Sequence, residues 1–146
     1  MAYQGYLIKV ANSASSNDWY TIPHDFIVEK SFKGTYSTLE TKAKRNANGV
    51  LDRTTAPHKV PHAIMTLRSL TDSEVGQLFG ANGGISTRYI NSTAKSIYAN
   101  MFVSELNDYV TAKFYVPDVD FTIKHVKNTT PYQVKYEPVT LEFIGY

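Results

Sequence analysis

The amino-acid sequence predicts a mainly β protein: a small curved β-sandwich or barrel with one short α-helix and a long polar hairpin arm. Eleven Tyr and seven Phe in 146 residues, together with many Val, Ile and Thr, favour strands. One capping box marks a helix, and one Asn-Gly pair inside a polar stretch marks the hairpin. We expect residues 1–146 to form a single domain, with residues 35–60 as the projecting arm.

The composition restricts the classes of function. The chain has no Cys, which excludes disulfides, thiolate metal sites and Cys nucleophiles. Lys plus Arg is 15 and Asp plus Glu is 13, so the net charge is only +2. That small excess argues against a dedicated nucleic-acid binder, although it leaves room for a local basic patch. No apolar run approaches the roughly 20 residues that span a bilayer, so we expect no membrane partner.

Two segments near the N-terminus have strand character. Tyr6 to Val10 is a short first strand, and the polar residues 11–18 form the loop after it. Asp25 to Phe32, with the sequence DFIVEKSF, is a second apolar segment that could form a strand.

The hairpin arm is predicted from Thr35 to Val60. Its Asn-Gly pair tolerates the positive φ that a type I′ turn demands. A long hairpin with so few apolar residues cannot be stabilised by its own core, so we expect a neighbouring subunit to order it. The alternatives are a solvated hairpin whose charges prevent aggregation, or an arm that meets an acidic surface or nucleic acid in a channel. The candidate contact residues are Lys42, Lys44, Arg45, Asn48, Gly49, Asp52, Arg53 and His58.

A strand and the one convincing helix follow the arm. His62 to Leu70 alternates as a strand, with Ala63, Met65 and Leu67 on one face. Thr71 is the predicted N-cap of a helix, and Glu74 completes a capping box. We expect Gly80 to end this helix in the left-handed conformation. Its predicted apolar face consists of Val75, Leu78 and Phe79.

The last 50 residues predict a bent sheet. Asn107-Asp108 reads as a tight turn between strands Ser96 to Leu106 and Tyr109 to Val116. After Pro117-Asp118 the apolar residues move from even to odd positions, and the same change follows Glu137-Pro138. One extra residue, as a β-bulge or bend, explains each change, and the matching breaks suggest that the two strands are neighbours. The apolar residues after the two breaks are Val119, Phe121 and Ile123, then Val139, Leu141 and Phe143.

Few residues are placed for chemistry. His58 and His62 would share a helical face, but Pro57 and Pro61 prevent that helix, so we expect no metal there. Asp118 and Asp120 could share one side of a strand, yet Asp is also a favoured turn residue and no third ligand lies nearby. The motifs of serine hydrolases, phosphate-binding loops and zinc peptidases are not present in the sequence. We therefore expect no catalytic residues, no metal and no cofactor.

Three stretches of the chain resemble a family of small proteins encoded by prophages of Gram-positive bacteria. RNANGVLDRTTAPHKV is similar to a segment of that family with the form R-d-A-N-G-x-L-x-R-x-x-x-P-H-x-x. FYVPDVDFTI looks like its aromatic-x-Pro-Asp strand, and YEPVTLEFIGY looks like its Y-x-P-x-x-x-x-F-I-x-Y ending. The resemblance covers residues 36–146 and little of the first 30 residues.

The resemblance implies a structural protein of a long-tailed phage, of the tail-tube or distal-tail (baseplate hub) type. Such proteins form rings, commonly of six copies, around the channel through which DNA passes. The implied partners are other copies of the chain and other tail proteins, with DNA only passing through the lumen. The implied location is the virion tail, assembled in the host cytoplasm. The alternatives are a head-completion or tail-terminator protein, and a carbohydrate-binding module that uses an exposed Trp19 and Tyr20.

Overall fold

A computed structural model describes residues 3–45 and 47–146, and the side chains of residues 38–45 and 51–59 lie outside its described part. The described residues form nine strands, one α-helix and two short 3-10 turns. The strands are β1 (Ile8–Ala11), β2 (Tyr20–Thr21), β3 (Lys33–Arg45), β4 (Leu51–Leu67), β5 (Ser96–Val103), β6 (Asp108–Tyr115), β7 (Ile123–Lys127), β8 (Gln133–Tyr136) and β9 (Val139–Gly145). The helix α1 is Asp72–Phe79, and the 3-10 turns are His24–Phe26 and Ser86–Arg88.

Seven of the strands form one antiparallel sheet in the order β2-β1-β5-β6-β9-β4-β3. The predicted mainly β class with one short helix is confirmed, but the sheet is open and does not close into a barrel. The sheet is strongly curved, because its edge strand β3 approaches β5 from across the core. A Cβ on Gly34 of β3 would collide with the carbonyl oxygen of Phe102 in β5. Only a residue without a side chain fits this approach.

The core lies on the concave face of this sheet. Strand alternation places odd positions of β5 and even positions of β6 on that face, where register pairs Ile97 with Phe114. The predicted inward face of β4 is confirmed, since Ala63, Met65 and Leu67 are all buried. Phe114 of β6 meets Phe143 of β9 edge to face, with 6.2 Å between ring centroids. The core therefore connects side chains of β5 and β6 with side chains of β4 and β9.

The two apolar phase changes in the C-terminal region mark changes of sheet, not bulges within one strand. After Pro117 the chain leaves the main sheet, and β7 pairs with β8 in a separate two-stranded sheet. The chain returns to the main sheet after Pro138 as β9. The expectation that the broken strands are neighbours is confirmed, because β6 pairs with β9 and β7 pairs with β8. The expectation that they stay in one curved sheet is wrong, because the two pairs belong to different sheets. Ile123, the last residue of the apolar series after Pro117, is 57% exposed.

The predicted helix is confirmed at its start and differs at its end. The Thr71 hydroxyl accepts from the Glu74 backbone, and the Glu74 carboxylate accepts from the Thr71 backbone, which completes the capping box. Leu78 is buried, and Val75 and Phe79 pack against the core. Gly80 is extended (φ −68°, ψ 178°) instead of left-handed. A Cβ on Gly80 would lie 2.6 Å from the Gly76 carbonyl oxygen, so a close contact explains the glycine. No helix in the described residues is long and apolar enough to cross a membrane.

The segment Asp25 to Phe32, which we considered as a strand, begins with a 3-10 turn and continues as irregular structure. The neighbours Phe26 and Ile27 are both buried, which the alternating faces of a strand do not allow. Lys30 also has a positive φ of 69°. Ile27 makes one isolated bridge to Leu67, so the segment covers the end of β4 without joining the sheet.

Candidate assembly site

The β3–β4 hairpin extends beyond the main sheet as a two-stranded arm. β4 pairs with β9 only from His62 to Leu67, whereas β4 pairs with β3 along most of its length as far as Leu51. Residues 37–60 therefore form the arm. Among the described residues, β3 and β4 in the arm pair only with each other. From Val60 to Leu51 the arm measures about 30 Å at the usual rise per residue of a strand. The arm predicted over residues 35–60 is thus present at the level of the backbone.

The tip of the arm differs from the predicted two-residue turn. Arg45 pairs with Leu51, so residues 46–50 lie between the strands. Gly49 has a φ of 78°, as the Asn-Gly signal requires, but Asn48 does not share the positive φ of a type I′ turn. Residues 47–50 are exposed, and Val50 is 59% exposed. The sequence therefore located the turn correctly and gave the wrong turn type.

Backbone pairing places the predicted contact residues along both strands of the arm. Lys44 lies opposite Asp52, and Arg53 lies opposite Ala43. The pairing is irregular between Thr38 and Lys42, and His58 falls on the opposite strand within that irregular part. The side chains of six predicted contact residues lie outside the described part of the structure, namely Lys42, Lys44, Arg45, Asp52, Arg53 and His58. Asn48 and Gly49 are described and lie at the exposed tip.

The base of the arm is packed tightly against the sheet. Pro61 is buried, and a Cβ on Gly145 of β9 would lie 2.5 Å from the Pro61 Cγ. On the convex face, His62 Nε2 is 2.6 Å from Glu142 Oε2. His58, the other histidine considered for a metal, has its side chain outside the described part of the structure. The arm therefore starts from an anchored base.

Of the two aspartates considered for chemistry, Asp118 is engaged in a local ion pair. Asp118 accepts a hydrogen bond of 2.5 Å from Lys95 Nζ, and this bond lowers the pKa of the Asp118 carboxyl. Asp118 and Asp120 lie outside the strands, in the segment that changes sheets. Among the described residues, no group of three or more His, Asp or Glu side chains is arranged to hold a metal ion.

An open cavity of about 230 Å³ lies between α1 and the segment that changes sheets. Phe79 and Phe121 line it and meet at 5.9 Å between ring centroids. Tyr89 also lines it; burial raises the pKa of its hydroxyl, and Asp118 raises it further. This is a mostly apolar groove with an ion pair at its rim, which suits packing contacts better than proton transfer.

Trp19 and Tyr20 were expected to be exposed, but both are half-buried. The Tyr20 ring covers Gly84, and its hydroxyl is buried without a hydrogen-bond partner among the described residues. The Arg88 guanidinium lies 5.5 Å from the Tyr20 ring centroid, while Lys9 Nζ lies 5.1 Å from the Trp19 ring centroid. The two rings therefore face different neighbours and do not form one flat platform.

The convex face of β1, β5 and β6 carries a polar and aromatic surface that the sequence pattern did not predict. The Tyr6 hydroxyl donates to Asn100 Oδ1 at 2.7 Å, and Asn100 Nδ2 donates to Thr111 Oγ1 at 2.7 Å. The Tyr6 and Tyr109 rings stack with 4.5 Å between their centroids. Burial raises the pKa of the Tyr6 hydroxyl, and Tyr109 raises it further. Alternation in each strand was visible in the sequence. The register that brings Lys9 opposite Asn100 was not.

Comparison with known proteins supplies the family and no relative of known activity. No curated protein and no solved structure matches the chain. The model of a family of unknown function, DUF6711, matches residues 1–146. The match covers the curved sheet, the helix and the arm together, and the chain belongs to this family.

Proposed function

We propose that the protein is a non-enzymatic structural component of a phage tail, which forms a ring in the distal tail or the tail tube around the DNA channel. The resemblance in the arm and in the last strands implies this setting, with six copies as the expected number. The observation that carries the proposal is the two-stranded arm of residues 37–60, which extends beyond the seven-stranded sheet. An arm of this kind suits contact with a second copy.

The energetics of a two-stranded hairpin support the proposal. Such a hairpin is marginally stable alone in water, because each strand lacks a second neighbour and an apolar face to bury. The sequence of residues 37–60 supplies few large apolar side chains. A neighbouring copy would provide the missing contacts. Because arm and receiving surface are different parts of the molecule, the contact is head-to-tail and closes into a ring when the rotation fits.

Two related assignments differ in position and not in chemistry. A head-completion or tail-terminator protein would also use the arm to contact copies of itself. The curved sheet and arm serve either ring equally well. We favour the distal tail or tube because the three segments resemble those of that group.

A carbohydrate-binding module built on Trp19 and Tyr20 has weaker support. Stacking on sugars needs accessible ring faces. Tyr20 packs on Gly84 and carries the Arg88 guanidinium near its ring, so it contributes to the local fold. A glycan array with Trp19→Ala as the control would show selective binding if this second function were correct.

Imaging of the purified protein tests the proposed ring. Negative-stain microscopy and sedimentation at increasing protein concentration should show closed rings or stacked tubes. A species that remains monomeric at the highest concentration reached would contradict the proposal.

Charge reversal tests whether the arm makes the contact. We expect Arg45→Glu with Arg53→Glu to weaken assembly at least tenfold, because two cations would be replaced by anions in a subunit contact. The matched control is Lys124→Glu with Lys127→Glu, which makes the same charge change at exposed positions of β7. Equal weakening by both pairs would indicate a net-charge effect and would argue against a role of the arm.

A further inference from the structure

We propose that the convex face of β1, β5 and β6 binds single-stranded nucleic acid. The proposal concerns a surface separate from the arm and does not depend on ring formation. We call this surface the Lys9–Lys113 face. Its described residues are Tyr6, Lys9, Trp19, Tyr98, Asn100, Thr111, Lys113 and Tyr146.

Strand register builds the face as a row of rings and cations. Tyr98 in β5 lies opposite Lys113 in β6, and both point away from the core because Ile97 and Phe114 point into it. Lys9 in β1 lies opposite Asn100 on the same side. At the far end, the Tyr146 backbone N–H donates to the Lys113 carbonyl oxygen, which places its ring beside β6. The row crosses the three neighbouring strands β1, β5 and β6, whose outer members lie about 10 Å apart at the usual spacing between strands.

The two lysines are held by rings and not by carboxylates. Lys9 Nζ lies 4.9 Å from the Tyr6 ring centroid and 5.1 Å from that of Trp19. Lys113 Nζ lies 4.9 Å from the Tyr146 ring centroid. Among the described residues, neither lysine forms an ion pair. Within the described part of the chain, no carboxylate therefore neutralises either lysine.

Two carboxylates of flanking segments are engaged with other groups. Asp18, next to Trp19 in the chain, accepts from Arg88 at 2.9 Å. Glu142, on the convex face of β9, contacts His62. The Lys9–Lys113 face is therefore positive and aromatic, and its charge complements a phosphate backbone.

Single-stranded nucleic acid matches this combination better than the alternatives. Proteins that bind single strands combine cations for the backbone with rings on which bases stack. Tyr146 is 58% exposed and offers a ring at the edge of the face. Asn100 and Thr111 supply amide and hydroxyl groups between the rings. A neutral glycan would use the rings but would leave the positive charge of the lysines without a role.

The single Trp of the chain provides a direct probe. Titration with an oligothymidylate of about 20 nucleotides should quench the fluorescence of Trp19, because a base stacks beside it. The apparent affinity should fall as salt rises, with a slope of about 0.7 for each phosphate contact. No quenching at low salt, or quenching by a neutral oligosaccharide and not by the oligonucleotide, would overturn the proposal.

Two matched pairs of variants locate the site. Lys9→Gln with Lys113→Gln should lower the affinity about tenfold and reduce the salt slope by about 1.4. The control Lys124→Gln with Lys127→Gln changes the same charge on β7 and should leave both unchanged. Tyr98→Ala should weaken binding about tenfold, whereas Tyr132→Ala, at a 73% exposed position, should not. Equal losses in variant and control would mean unspecific charge attraction and would overturn the assignment. Sedimentation of the same samples reports ring formation separately.

Discussion

The two halves of β4 show how one strand can serve two purposes. From His62 to Leu67 the strand pairs with β9 on one side, and the first three of these residues also pair with β3 on the other. This half contributes Ala63, Met65 and Leu67 to the core. From Leu51 to Val60 the same strand pairs only with β3 among the described strands. The inner half therefore determines the stability of the monomer. The outer half lies beyond the pairing with β9, and the proposed function assigns it to contacts between copies.

The largest expected effect falls on the inner half. Met65→Ala should lower the free energy of unfolding by about 3 kcal/mol, because Met65 is 1% exposed and the substitution leaves a cavity. Urea unfolding followed by circular dichroism measures the change. Ile64→Ala is the matched control, since Ile64 lies on the convex side of the same strand and is only half-buried. A loss at Ile64 as large as that at Met65 would show that the concave face is not the dominant core.

A smaller effect is expected at the helix, which flanks the core side of the sheet. Thr71→Ala should lower the free energy of unfolding by about 1 kcal/mol, because the Glu74 backbone N–H loses its acceptor. Thr93→Ala, at an exposed position, provides the control. Unchanged stability in Thr71→Ala would mean that the capping box does not hold the start of α1 in solution.

The smallest effect is a pH dependence at the same cap. A hydrogen bond from Arg68 holds the pKa of Glu74 below its ordinary value of 4.5. The unfolded chain binds more protons in this range, so the stabilisation is complete above about pH 4.5 and is lost as the pH falls through the lowered pKa. Glu74→Gln should reduce this acid-side loss, and Glu105→Gln in an exposed turn should not. Identical pH profiles of unfolding for wild type and Glu74→Gln would contradict this role.

Local signals in the sequence predicted the elements with strong patterns. Thr71 and Glu74 lie within one turn of each other, so the capping box needed no tertiary information. The alternation of apolar and polar residues around Met65 likewise predicts which face of the strand is buried. The Asn48-Gly49 pair located the turn of the arm because Gly accepts a positive φ.

The sequence could not predict features that depend on distant neighbours. The phase change at Pro117 is the same for a bulge and for a change of sheet, and only the partner of β7 decides between them. Position 80 requires glycine because of its close contact with Gly76. A left-handed helix cap would also favour glycine, so the sequence alone does not distinguish the two reasons. The Lys9–Lys113 face joins β1 to the hairpin of β5 and β6, about 90 residues later in the chain, so no local pattern marks it.

The most direct test of the central claim separates assembly from stability by removing the arm. Deletion of residues 40–56 leaves Leu39, Pro57 and His58 as a loop between Thr38 and Lys59, which pair in the intact protein. We expect the deletion variant to sediment as a monomer while its free energy of unfolding changes by less than about 1 kcal/mol, because long surface insertions contribute little to monomer stability. Rings that persist without the arm, or a wild type that is itself a monomer, would contradict the account.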